Sequence, residues 1–127
     1  MWRPFSESID EVAIPEAAAH APILIIHAWE DWSGVSRPLD HALKALSLEF
    51  QDRVAFRSLD TEDPENHDFL TRLKVMSLPA LILYARGKEP RLIASRRSNE
   101  LRKLLQSLVY DWEAVTRGAG DARTQMS

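Results

Sequence analysis

The chain contains no cysteine among its 127 residues. Thiolate nucleophiles, dithiol–disulfide exchange and disulfide bridges are therefore excluded. Glycine is also scarce, with four residues, whereas 45% hydrophobic and 28% charged residues are ordinary for a folded domain. The composition excludes a disordered or collagen-like chain, and this length can build a hydrophobic core without disulfide or metal cross-links.

Long apolar runs are absent as well. No run approaches the roughly 20 residues that span a bilayer. The first 12 residues carry three acids and lack the apolar segment of a secretory signal. From the sequence we therefore expect a cytoplasmic protein with no membrane partner.

The net charge of −3 conceals a strong asymmetry along the chain. Residues 1–70 carry 14 acids and five bases, a net charge of −9, whereas residues 71–127 carry 11 bases and five acids, a net charge of +6. Dense basic runs are typical of nucleic-acid binding, but no aromatic side chains alternate with these bases to stack on nucleotides. We interpret the run as a solvated face, not a nucleic-acid site; its members are Arg86, Lys88, Arg91, Arg96, Arg97, Arg102 and Lys103.

Apolar patterns predict alternating strands and helices. β-Branched and apolar runs predict strands at 23–26, 54–59, 80–84 and 91–95. Apolar residues at three- and four-residue steps predict a helix from Ser36, with a buried stripe of Leu39, Leu43, Leu46 and Phe50. The same spacing predicts a last helix whose stripe is Leu101, Leu104, Leu105, Leu108, Trp112 and Val115.

Shorter helices are predicted by local signals. Pro15 is suited to the first position of a helix, Ser8 and Glu11 have the spacing of a capping box, and residues 65–73 follow an acidic turn. Strands joined through helices pair in parallel, and the short connection at Arg86-Gly87 implies an antiparallel pair. The order predicts one mixed sheet with helices on both faces.

Two segments resemble the thioredoxin family. Residues 29–37, Trp-Glu-Asp-Trp-Ser-Gly-Val-Ser-Arg, are similar to the family's active-site segment Trp-Ala-Glu-Trp-Cys-Gly-Pro-Cys-Lys, with serine at both cysteine positions. Residues 75–81, Val-Met-Ser-Leu-Pro-Ala-Leu, are similar to the segment that holds the family's cis-proline. Asp60, Pro64 and Gly87 also match, and the resemblance covers about residues 15–110.

The resemblance implies a thioredoxin-like three-layer α/β/α sandwich with a mixed central sheet. We expect a single such domain at residues 1–117 and a disordered tail at 118–127. Active family members have a buried aspartate where this chain has His27, a partner lysine where it has Phe56, and a proline where it has Val35. Both the thiols of the family and their acid–base support are therefore missing.

Serine cannot replace the family's cysteines, because its hydroxyl stays protonated near neutral pH and forms no mixed disulfide. Ser33 and Ser36, the positions that match the redox pair, are instead suited to cap a helix. A hydrolytic serine is not favoured, because Gly-x-Ser-x-Gly is absent and we expect His27 to be a hydrogen-bonded core residue. The other histidines lack metal-ligand spacing, so we expect neither a metal nor another cofactor.

Two explanations of the missing cysteines remain open at this stage. The first is a redox-inactive thioredoxin-like protein that acts as a protein- or peptide-binding module, which includes the special case of an assembly factor for one client. The alternative is a Cys-to-Ser form of a thioredoxin-type protein-disulfide oxidoreductase. The resemblance implies a peptide groove in either case, lined by Trp32, Gly34, Val35, Leu78 and Pro79.

Overall fold

A computed structural model describes residues 2–32, 34–86, 88–94 and 96–126, with side chains described as far as Thr116. Ser33, the predicted turn residue Gly87 and the predicted strand end at Ser95 lie outside these ranges. Strands and helices alternate along the described chain as β1 (Glu7–Ser8), α1 (Ile14–Ala18), β2 (Ile23–Trp29), α2 (Ser36–Phe50), β3 (Val54–Asp60), α3 (His67–Arg72), β4 (Ala80–Ala85), β5 (Arg91–Ile93) and α4 (Ser98–Met126).

The strands form one mixed sheet in the order β1-β3-β2-β4-β5. β1, β3 and β2 are parallel, whereas β4 is antiparallel to both β2 and β5. α1 and α3 contribute to the core on one face of the sheet, and α2 and α4 contribute to the core on the other. The predicted three-layer α/β/α sandwich with a mixed sheet is confirmed.

The central strand β2 divides the core in two. All seven of its residues are buried, as expected for a strand covered on both faces. Because side chains alternate along a strand, Ile23 and Ile25 pack on the α2 and α4 side, whereas Leu24 and Ile26 pack on the α1 and α3 side. The strand therefore fixes both helical layers, and it carries the loop that follows Trp29.

The N-terminal segment differs from the prediction. Ser8 does not open a capping box: Glu7 and Ser8 form β1, which pairs with Arg57 and Ser58 of β3. The turn that follows is capped by Asp10, whose carboxylate accepts the backbone N–H of Ala13 at 3.1 Å. The capping signal is local in sequence and does not depend on β3. Pairing with β3, which is distant in sequence, determines the structure of this segment instead.

The buried residues of the last helix also differ from the predicted stripe. Leu101, Leu105 and Val109 are buried, whereas Val115 is 68% exposed, because the packed core against α4 ends near Val109. The helical backbone runs to Met126, through residues for which the sequence predicts a disordered tail.

Candidate functional site

The loop between β2 and α2 presents apolar surface. Trp32 is 73% exposed and Val35 is 48% exposed, and Gly34 between them is also exposed. Trp29, at the end of β2, is buried and anchors the start of this loop. The loop therefore displays one large aromatic side chain from a rigid base.

Ser36 does not cap α2, contrary to the prediction. The N-cap position is occupied by Val35, which makes no side-chain capping bond, and Ser36 is already the first residue of the helix. Its side chain is fully buried, and Oγ accepts the backbone N–H of Glu30 at 3.5 Å. Ser36 thus links the two ends of the loop and is not available as a surface nucleophile. The same prediction for Ser33 falls outside the described residues.

The loop lies beside the segment that precedes β4. Trp32 and Leu78 line the same pocket, together with Thr61, Leu70, Val75, Met76 and Ser77.

 The volume of this pocket is ≈ 430 Å³. Met76 is 91% exposed at its rim, and the Leu78–Pro79 peptide bond is cis. Pro79 is buried, and it does not line the pocket; nor do Gly34 and Val35.

One wall of the pocket is held by hydrogen bonds to the end of β2. The backbone N–H and Oγ1 of Thr61 both donate to the Trp29 carbonyl, at 3.2 and 2.9 Å. Asn66 Nδ2 donates to the Asp60 carbonyl at 2.8 Å, and His67 Nε2 lies 3.1 Å from the Thr61 carbonyl. The turn after β3 is therefore fixed against the loop that carries Trp32.

His27 is buried beneath this site, as predicted, but it is not hydrogen bonded as expected. Neither ring nitrogen has a hydrogen-bond partner among the described residues, and Nδ1 lies 3.8 Å from Asp40 Oδ1, too far for a hydrogen bond. Burial lowers the pKa of His27 to about 4, so the ring is neutral at pH 7. Because it does not bond Ser36, the two residues form no serine–histidine pair of a hydrolase.

Asp40 connects the site to the N-terminal segment, a contact that the sequence did not reveal. Its carboxylate oxygens accept the Phe5 N–H at 3.2 and 3.3 Å. Burial raises the pKa of Asp40, while the Phe5 N–H and the charges of Lys44 and His41 act in the opposite direction. Phe5 also lies against Phe56, with ring centroids 6.3 Å apart, so an apolar contact occupies the place of the family's lysine.

The N-terminal segment also covers the base of the loop. Trp2 packs edge-on against Trp29, with ring centroids 5.5 Å apart, and the guanidinium of Arg37 lies 5.6 Å from the centre of the Trp2 ring. These contacts join residues that are far apart in the sequence. Aromatic pairs of this kind stabilise a fold beyond the contribution of their buried surface. The N-terminal segment therefore packs against residues on both flanks of the loop, Trp29 before it and Arg37 after it.

Glu30 is the other unusual buried group. It is fully buried at the end of β2, and neither carboxylate oxygen has a hydrogen-bond partner among the described residues. The described residues also contain no group of three or more histidine or acidic side chains able to hold a metal ion. In the same part of the chain, no helix is long and apolar enough to cross a membrane.

The sheet order, the loop before α2 and the cis bond before β4 together define a class of fold. The family model described as Thioredoxin matches residues 10–107. The chain therefore belongs to the thioredoxin family, and it is a member without cysteine.

Relatives and solved structures agree with this assignment. The chain is 27% identical over 85 residues to thioredoxin-4 of Dictyostelium discoideum, which covers 67% of this chain and 79% of that protein. It is 30% identical over 86 residues to thioredoxin H2 of Arabidopsis thaliana, which covers 68% of this chain and 62% of that protein. A thioredoxin variant from Halobacterium salinarum shares the fold, with a TM-score of 0.69, 19% identity, and coverage of 86% of this chain and 96% of that one.

Proposed function

We propose that this chain is a redox-inactive thioredoxin-like protein that binds an extended segment of a partner protein or a peptide. The binding surface, here called the Trp32 surface, comprises Trp32, Val35, Met76 and Leu78, with the backbone of Gly34 and Pro79 beside them. The observation that carries the proposal is the exposure of Trp32 and Met76, 73% and 91%, which both line one pocket. Adjacent exposed apolar side chains beside a pocket are typical of interaction sites.

The alternative, a Cys-to-Ser form of a working oxidoreductase, has less support from the residues around the site. His27 stands where the family has a buried aspartate, and its environment keeps it neutral. Phe56 stands where the family has a lysine, and it packs against Phe5. The site therefore lacks the aspartate and the lysine that the family uses for proton transfer in its thiol chemistry.

The proposal requires no thiol in any contact. A partner segment would bury the exposed face of Trp32, and tryptophan is among the residues that most often dominate binding energy. Truncation of such an anchor costs about 2 kcal/mol or more, which is about 30-fold in Kd. We further propose a cytoplasmic location, because a domain without disulfides does not need an oxidising compartment.

A displayed library of random octapeptides tests this function. Peptides selected on the immobilised protein are synthesised with a fluorophore, and their Kd is measured by fluorescence anisotropy. We expect Trp32→Ala to weaken binding about 30-fold and Met76→Ser to weaken it in the same direction. Tyr110→Ala is the matched control, because Tyr110 is an aromatic residue with 65% exposure on α4.

Two outcomes would count against the proposal. One is the selection of no peptide above the background of the support. The other is equal affinity of the wild-type protein and Trp32→Ala, which would move binding away from the Trp32 surface.

A further inference from the structure

Arg96 lies at the rim of the pocket, beside Ser77. In the antiparallel pair of β4 and β5, Leu81 is paired with Ile93. The chain that leaves β5 therefore emerges beside the residues that precede β4, and Arg96 follows Ile93 by three positions just as Leu78 precedes Leu81 by three. Arg96 Nη2 lies 3.5 Å from Oγ of Ser77, which lines the pocket. Register and contact agree on the position of this cation.

The charge of Arg96 is not matched by a carboxylate among the described residues. Its guanidinium contacts a neutral hydroxyl, that of Ser77, and its side chain is exposed. Other arginines differ: Arg72 pairs with two acids and Arg102 Nε lies 2.8 Å from Glu49 Oε2. Because an arginine stays charged at any physiological pH, the pocket has a permanent cation at this rim.

Acidic residues adjoin two other residues that line the pocket. Asp31 directly precedes Trp32, and Glu62 directly follows Thr61. A bound segment would therefore meet a cation near Ser77 and acidic residues near Trp32 and Thr61. This polarity favours one direction and one register of the bound chain, because like charges brought together are unfavourable.

We propose that the preferred occupant of the Trp32 surface is an extended acidic peptide segment, with an apolar side chain in the pocket and an aspartate or glutamate placed on Arg96. The inference rests on the proposed function and adds the chemistry of the partner. A guanidinium binds a carboxylate through two parallel hydrogen bonds, which sets orientation as well as attraction. An exposed pair contributes little affinity, so its effect is on selectivity among partners.

The sequences recovered from the octapeptide library provide the first test. We expect peptides selected on the wild-type protein to be enriched in acidic residues at a fixed distance from an apolar residue. Selection on Arg96→Glu should remove this enrichment and favour lysine and arginine at the same position. Arg91→Glu is the matched control, because Arg91 is an exposed arginine at the start of β5, and its change alters the net charge equally.

Affinities provide the second test. One selected peptide is compared with its Glu-to-Gln and Glu-to-Lys versions by fluorescence anisotropy at low and high salt. For the wild-type protein we expect losses of up to about fivefold for glutamine and more for lysine, which shrink at high salt. Arg96→Glu should reverse the order of the glutamate and lysine peptides, and Arg91→Glu should leave it unchanged.

The outcomes separate this inference from the proposed function. Peptides that depend on Trp32 but show no acidic preference would overturn the inference and leave the function standing. If Arg91→Glu changes the acidic preference as much as Arg96→Glu does, the preference depends on overall charge, and the inference is also overturned. A labelled dT15 oligonucleotide provides one more comparison. If it binds more tightly than the peptides and Arg96→Glu abolishes that binding, the function of Arg96 would be nucleic-acid binding instead. Recovery of no peptide would remove both proposals.

Discussion

Replacement of His27 by leucine should remove much of the sensitivity of this fold to mild acid. In the folded protein the pKa of His27 is about 4, because burial disfavours the charged ring, whereas in the unfolded chain it is near 6.5. As the pH falls below about 6.5, the unfolded chain takes up a proton that the folded protein refuses, so stability is lost. Linkage gives a loss of about 2 kcal/mol between pH 7.5 and pH 5, and the loss ends near the folded pKa.

Asp40, the neighbouring acid, acts in the opposite direction. Because its pKa is raised in the folded protein, the folded state binds this proton at a higher pH than the unfolded chain does. Its contribution to stability therefore rises as the pH falls through the raised pKa. Asp40 is present in both the wild-type protein and the His27→Leu variant, so its effect cancels in their comparison to first order.

Urea unfolding followed by tryptophan fluorescence, at pH 7.5 and pH 5, measures the effect. We expect the wild-type protein to lose about 2 kcal/mol more than His27→Leu over this interval. His20→Gln, a change at an exposed histidine, should lose as much as the wild-type protein. Equal losses for the wild-type protein and His27→Leu would refute the assignment of a neutral, desolvated imidazole at this position.

Two further predictions concern the core and the missing thiols. Leu105→Ala should lower the free energy of unfolding by about 2–5 kcal/mol. Leu104→Ala, at a half-buried position, should lower it by less, and Gln106→Ala, at an exposed position, should lower it by at most about 0.5 kcal/mol. Equal values for the three variants in urea titrations would mean that α4 packs through another face. The protein should not accelerate insulin reduction by dithiothreitol, and Ser33→Cys with Ser36→Cys should restore only weak turnover, because the family's aspartate and lysine are missing. Full thioredoxin-like turnover of that double variant would favour the oxidoreductase alternative.

Local patterns predicted the elements whose burial is periodic. The run at 23–26 lies in the fully buried strand β2, and the apolar stripe from Leu39 to Phe50 is the buried face of α2. Such elements can be predicted because the spacing of their apolar residues indicates which positions are buried. The resemblance to thioredoxins then supplied the topology, which periodicity alone leaves open.

Contacts between distant residues were not predictable in the same way. β1 has only two residues and exists through its pairing with β3, 50 positions away in register. The bonds of Phe5 to Asp40, and the packing of Trp2 on Trp29, likewise leave no local signal. For this reason the N-terminal segment was the least accurately predicted part of the fold.

The candidate site was predicted in part. Trp32 and Leu78 do line one pocket, whereas Ser36 is buried and bonds Glu30 instead of capping α2. Met76 was not predicted as a site residue, because the sequence of this mostly apolar segment before Pro79 does not distinguish an exposed apolar side chain from a buried one. Arg96 was predicted to belong to a solvated basic run, whereas the register of β5 and its contact with Ser77 place it at the pocket.

The most direct test of the account is a map of where a selected peptide binds. Addition of that peptide to the ¹⁵N-labelled protein should shift the Trp32 indole and the backbone amides of Met76 and Leu78, with smaller changes elsewhere. The predicted result is a set of shifts centred on the pocket between Trp32 and Ser77. Shifts centred instead on the opposite end of the sheet, around Trp112, would contradict the claim that this family member binds its partner through the Trp32 surface.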